Sequence, residues 1–196
     1  MKPRIMLNAN TPDVANMIYY AYRNSVQRRG KELNFNDDLK NAMQQIAEQL
    51  TKPTPEKFFI ILCGLYGNGK TTMLKALLTL FDEANKAELF DNKKVIDMLT
   101  AQDIAKRATL TDLKLTDILL IDDLGNEPAE VKSYGNVYTP LTEILESRYD
   151  KQHFTVITTN LTAKEISDRY GKRIADRLEE VSLKIIFKNS SYRINK

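Results

Sequence analysis

Cysteine is nearly missing from this chain. With Cys63 alone in 196 residues, no internal disulfide can form, and with one histidine, His153, a Cys/His metal cluster is not expected either. Long apolar runs are also lacking. None approaches the roughly 20 residues that a membrane span requires, and the start Met1-Lys2-Pro3-Arg4-Ile5 has no apolar core of the secretory kind. A cytoplasmic protein with no membrane partner is therefore expected. Charge is close to balanced, 29 Lys and Arg against 26 Asp and Glu, and the net +3 does not by itself call for a nucleic-acid partner. What remains, 42% hydrophobic and 28% charged residues, suits one ordinary globular domain.

One stretch organises the rest. Gly64-Leu65-Tyr66-Gly67-Asn68-Gly69-Lys70-Thr71, followed by Thr72, satisfies the phosphate-loop pattern G-x-x-x-x-G-K-[ST] without a mismatch. It follows the apolar run Phe58 to Cys63 and opens a segment in which Met73, Leu77 and Leu80, then Leu74, Leu78 and Phe81, recur at helical spacing. Strand, loop and helix in that order suit a nucleoside triphosphate. Glycines let backbone N–H groups close around phosphate oxygens, and the helix start adds the positive end of its dipole. Lys70 would reach the outer phosphates, and the Thr71 hydroxyl would take one Mg²⁺ position. Cys63, ending the apolar run, is expected to be a packed thiol rather than a reactive one.

Residues 1–52 read as a helical extension before a nucleotide-binding core at 53–196. Thr11-Pro12 predicts a helix start with Val14, Met17, Ile18, Ala21 and Tyr22 inward. The cluster Arg28-Arg29-Gly30-Lys31 ends that helix with charge suited to a C-terminus, a phosphate- or partner-binding patch being the alternative. A second helix is expected from Asn36-Asp37 to the residues before Lys52-Pro53-Thr54-Pro55. Further on, Asp82 to Lys94 reads as a loop with room for one further turn of helix, Val95 to Leu99 as a strand and Ala101 to Ala108 as a short helix.

The apolar run Ile118-Leu119-Leu120-Ile121 ends in Asp122-Asp123, which is the Walker B arrangement. The first acid holds Mg²⁺ through water, and the second can orient or deprotonate the attacking water. A helix is expected within Asn136 to Asp150. Phe154 to Thr159 is then a strand carrying Asn160 at its C-terminal edge, where a polar side chain can hold the water beside the last phosphate. Thr162-Ala163-Lys164-Glu165 is a capping box. His153, at the opposite end of that strand, reads as structural. Arg173 and Arg177 lie one helical turn apart, suited to surface ion pairs or, in an oligomer, to a neighbour's site. Leu183 to Phe187 supplies a fifth strand.

Taken together, Gly64 to Thr71, Asp122-Asp123-Leu124-Gly125, Thr159-Asn160-Leu161 and Tyr170 to Leu178 resemble the AAA+ ATPases of the DnaC/DnaI helicase-loader and IstB transposition-ATPase family, over roughly residues 54–193. The resemblance implies a five-stranded parallel sheet between helices, with a short N-terminal helical extension and no C-terminal lid. ATP or ADP with Mg²⁺ would bind at the strands' C-terminal edge. It implies that Lys70, Thr71 and Asp122 serve phosphate and metal, that Asp123 activates water, and that Asn160 is a sensor. Arg177 would be an arginine finger acting in trans, with Arg173 near the subunit boundary and Arg193 touching phosphate. The implied function is a slow, oligomer-dependent ATPase acting on a replicative helicase. The alternatives are a transposition helper acting on a transposase, and an adaptor stabilised by nucleotide with little turnover. Single-stranded or duplex DNA is a candidate partner through Lys106, Arg107 and Lys114, although the interval 101–117 is shorter than the helical insertion usual in the family.

Overall fold

The computed structural model describes residues 5–53, 55–128, 131–133 and 136–188. Among them, two helices come first, α1 (Thr11–Gln27) and α2 (Asp37–Thr51). Strand β1 (Phe59–Gly64), helix α3 (Lys70–Lys86), strand β2 (Ile96–Thr100) and the short helices α4 (Ala101–Ala105) and α5 (Thr111–Leu115) follow. Then come β3 (Ile118–Leu124), the small strands β4 (Val131–Ser133) and β5 (Asn136–Tyr138), α6 (Pro140–Asp150), β6 (Phe154–Thr159), α7 (Ala163–Tyr170), α8 (Lys172–Val181) and β7 (Ser182–Phe187).

Five strands form one parallel sheet in the order β2-β3-β6-β1-β7, while β4 and β5 pair as a separate antiparallel hairpin. A parallel sheet covered on both faces needs strands that are apolar throughout, because successive side chains point to opposite sides and neither side meets water. The apolar runs do this. Ile60 and Leu62 of β1, Ile118 and Leu120 of β3, and Val156 of β6 pack with α1, α2 and α3 on one face. Their neighbours Phe59, Ile61, Leu119, Ile121 and Ile157 pack with α4 to α8 on the other. The result is a three-layer sandwich with β6 in the middle of the sheet and β1 between it and the edge strand β7.

The two N-terminal helices belong to the first of these layers. Val14 and Ile18 of α1 and Ile46, Ala47 and Leu50 of α2 are fully buried in the same apolar cluster as Met73, Leu77 and Phe81 of α3. The backbone also ties the extension down, with Leu7 donating to the Leu50 carbonyl at 2.7 Å and Asn8 to that of Leu89 at 2.8 Å.

Some boundaries differ from the sequence reading. Helix α1 is capped by Asn10, whose side chain accepts from the Asp13 amide at 2.9 Å, so Thr11 and Pro12 occupy the first turn. Helix α3 runs on to Lys86, which takes up the further turn of helix expected within Asp82 to Lys94. The helix expected up to Ala108 stops at Ala105, and a second single-turn helix, α5, follows. Asn136 to Tyr138 is a hairpin strand, so α6 begins at Pro140, where the missing N–H is no loss.

The tight packing beneath α5 and α6 depends on Arg148, which is fully buried. Its guanidinium donates to the carbonyls of Leu113 and Thr116 at 2.8 Å and of Phe154 at 2.6 Å, and to the Thr155 hydroxyl at 2.7 Å. Burial pulls its pKa down to about 9, against the opposing pull of Asp117 and Asp97, so it stays charged at neutral pH. One side chain thus satisfies the end of α5 and the start of β6 together.

Candidate nucleotide site

At the C-terminal ends of β1, β3 and β6 the chain gathers the residues singled out from the sequence. The loop after β1 turns back on itself through Gly64, Gly67 and Gly69, with φ of +140°, +78° and +100°. At Gly64 the need for glycine is steric as well as conformational. A Cβ there would collide with the Asn68 amide and with the Phe187 carbonyl of β7. Asn68, itself buried, donates to that carbonyl at 2.8 Å and so clips the loop to the edge strand. Leu65 and Tyr66, at the loop's crest, are exposed.

Gly69 stands before α3 and no side chain caps the helix start. The N–H groups of its first turn are therefore orphan donors that an anion can satisfy, next to the positive end of the helix dipole. Lys70, only 5% exposed, brings its ammonium into the same concavity. It donates to the carbonyls of Gly64 at 2.7 Å and Leu65 at 2.8 Å, to Asn68 Oδ1 at 3.2 Å, and to Asn160 Oδ1 at 2.6 Å. Asn160 is thus brought to Lys70 across 90 residues of sequence.

The acidic pair arrives from β3. Thr71 Oγ1 donates to Asp122 Oδ1 at 3.0 Å, and Thr158 Oγ1 donates to the same oxygen at 2.6 Å. Asp123 sits in a register shift between Ile121 and Leu124, where β3 bulges against β6, and its φ is +57°. A bulge adds one residue and re-aims the side chains beside it, which turns a strand ending into a pair of differently directed carboxylates. Aspartate tolerates the left-handed region better than most residues. The Asp123 amide is held by Thr158 Oγ1 at 2.8 Å, so one buried hydroxyl orders both acids.

Hydroxyl and carboxylate oxygens at Thr71 and Asp122 are the hard donors that Mg²⁺ takes, and the uncapped α3 start with Lys70 is an anion cradle. The residues present therefore fit a magnesium nucleotide.

Other expected residues lie elsewhere. Arg173 of α8 pairs with Glu146 of α6. Arg177 lies 3.4 Å from Asp150 and stacks over the Tyr149 ring at 4.4 Å, both also on α6. No described contact joins either arginine to the phosphate loop. Thr72, buried on α3, accepts from Arg29, in the turn after α1, at 2.7 Å. Arg193 lies outside the described residues. Two residues near the site had escaped the sequence reading, Thr158 and Glu127, whereas Arg29 belongs to the basic cluster read as a helix end with a phosphate- or partner-binding patch as the alternative. Glu127, 5% exposed, accepts from the Gly125 amide at 2.9 Å and from Tyr170 Oη, and lies 3.3 Å from Arg169 Nε. It ties the loop after Asp123 to the end of α7, and together with burial it raises the Tyr170 pKa.

A parallel sheet with a phosphate loop after β1 and an acidic pair ending β3, two strands away, defines an ATP-binding P-loop protein of the AAA+ class. Comparison with known proteins refines that assignment. Residues 26–196 match the family described as IstB-like ATP binding protein, and the chain belongs to that family. Among solved structures, the DnaC helicase loader superposes with a TM-score of 0.62 at 19% identity, covering 85% of this chain and 98% of that one. DnaI gives 0.57 at 19% identity, over 87% of this chain and 94% of that one. DnaA from Aquifex aeolicus with AMPPCP bound gives 0.54 at 20% identity, over 78% of this chain and 48% of that one. At these identities the likeness is one of fold. No curated protein matches the sequence.

Proposed function

We propose that the chain is a magnesium-dependent ATPase that assembles with copies of itself in the cytoplasm and acts on a replicative helicase as a loader does. The observation carrying this reading is the continuous set of contacts Lys70–Asn160, Thr71–Asp122 and Thr158–Asp122, which draws three strand ends around one phosphate-sized cradle.

In this reading Lys70 exchanges its carbonyl partners for phosphate oxygens, a gain because a charge-assisted bond is stronger than one to a neutral carbonyl. Thr71 and Asp122 hold Mg²⁺, which neutralises charge on the bound phosphates. Thr158 keeps Asp122 and the Asp123 backbone in register, Asp123 takes the proton of the attacking water, and Asn160 orients that water. As the shorter acid, Asp123 suits a slow turnover. Arg177, to serve a neighbouring subunit, would leave Asp150 and the Tyr149 ring, with Arg173 beside it at the boundary. Binding that closes a subunit contact and hydrolysis that opens it would make a two-state device.

The family match to IstB-like proteins supports the second reading, a transposition helper acting on a transposase. An adaptor with little turnover is the third, with DNA contact through Lys106, Arg107 and Lys114 compatible with any of them. Phosphate release by the wild type, Lys70→Ala and Arg177→Ala separates turnover from its absence. Loss in both variants, with wild-type activity rising with protein concentration, is expected. Equal background rates in all three would leave the adaptor. Capture with Asp123→Asn and ATP then distinguishes a helicase from a transposase.

A further inference from the structure

The basic cluster after α1 lies beside the phosphate loop, although it precedes the loop by more than a helix. Arg29 is exposed, yet its guanidinium is oriented. Nε donates to the Ser25 carbonyl at 3.1 Å and Nη2 to Thr72 Oγ1 at 2.7 Å, across 43 positions of sequence. Nη1 has no acceptor among the described residues, and no carboxylate among them pairs with this arginine. A guanidinium held only by neutral oxygens gains little from its charge, whereas a phosphate oxygen would use it fully, and the rigid fork suits phosphate. Thr72 is two residues beyond Lys70, in the turn whose N–H groups close on the inner phosphates of a bound nucleotide.

We propose that Arg29 is a nucleotide ligand supplied by the N-terminal helices, meeting the inner phosphates on the Thr72 side of the cradle. This rests on the nucleotide reading above and adds to it. A residue outside the phosphate-loop motif would bind the ligand, and the last turn of α1 would feel whether the site is filled. The adjacent Arg28, with its side chain bonded to no described residue, makes no such contact and serves as the control.

The test is calorimetric titration of ADP with Mg²⁺ into the whole chain and three variants. Arg29→Ala should weaken binding about tenfold or more, the size of a lost charge-assisted bond. Arg28→Ala should stay within about twofold, because an exposed charge bonded to no described residue is screened. Arg29→Gln keeps an amide to bridge Thr72 but carries no charge, so it should remain as weak as Arg29→Ala. Melting of each variant without nucleotide should match the wild type, since Arg29 is exposed. The proposal is overturned by an Arg29→Ala affinity within about twofold of wild type, by recovery in Arg29→Gln, or by an equal loss in Arg28→Ala. A wild type that binds no ADP would sink the nucleotide reading itself, whereas tight wild-type binding with an unchanged Arg29→Ala sinks only this one.

Discussion

Replacing Gly64 by alanine tests the phosphate loop's construction without touching any charged group. The residue has φ +140°, which costs an L-residue about 1–3 kcal/mol. Its new methyl would also strike the Phe187 carbonyl and the Asn68 amide. One neighbour is backbone in β7 and cannot yield without moving the strand, so overpacking adds about 1–3 kcal/mol. If Asn68 gives way instead, its 2.8 Å bond to Phe187 is lost in a buried place, at about 1–3 kcal/mol. At least two of these three act together, for a total of about 4 kcal/mol. Gly30→Ala is the control, since Gly30 also has positive φ, +66°, but nothing lies within 4 Å of its added Cβ. That variant should lose about 1 kcal/mol, the strain alone. Urea unfolding followed by circular dichroism should move the midpoint for Gly64→Ala by about 2 M at a slope near 2 kcal/mol/M, and for Gly30→Ala by about a quarter of that. Equal shifts in the two variants would refute the steric argument.

Three further outcomes follow from the same structure. Thr158→Val should lower phosphate release about tenfold or more while ADP affinity changes little, because it frees Asp122 and the Asp123 amide but leaves the cradle intact; unchanged turnover contradicts it. Arg148→Met should cost about 3–5 kcal/mol in urea unfolding, since four buried acceptors lose their donor, and a loss under about 1 kcal/mol would show that they find other partners. Burial raises the Cys63 pKa, with Lys184 and Lys70 opposing it, so its thiolate forms above the ordinary thiol range. Alkylation by iodoacetamide at pH 8 should therefore be slower than that of free cysteine and should rise as pH climbs further. A rate matching free cysteine at pH 8 contradicts that.

Much of the fold was legible because its signals are local. Apolar runs mark the buried strands β1, β3 and β6 and the partly exposed outer strands β2 and β7, and the phosphate loop, the capping box at Thr162 and the cap at Asn36 depend on residues a few positions apart. The gathering of Lys70, Asp122 and Asn160 could be expected because parallel strands bring their C-terminal ends to one edge. What escaped was set by distance along the chain. Arg148 has the place of an ordinary basic residue in the last turn of a helix, and only the docking of α5 and β6 on α6 buries it. The bulge at Asp123 depends on pairing with β6, and the Thr158 hydroxyl that orders it looks like any strand threonine. Glu127 reads as a turn acid until α7 supplies Tyr170 and Arg169. The partners of Arg173 and Arg177 come from α6, which no pattern within α8 reveals.

The central claim is that the cradle between Gly64 and Thr72 holds a nucleotide through Lys70. Titrating ATP or ADP with magnesium into the wild type and Lys70→Ala, with the heat recorded, addresses it most directly. Saturable one-to-one binding in the wild type that is weakened at least about a hundredfold in the variant is the expected result, because a buried charged donor is removed. No heat in the wild type, or the same affinity in both proteins, would contradict it.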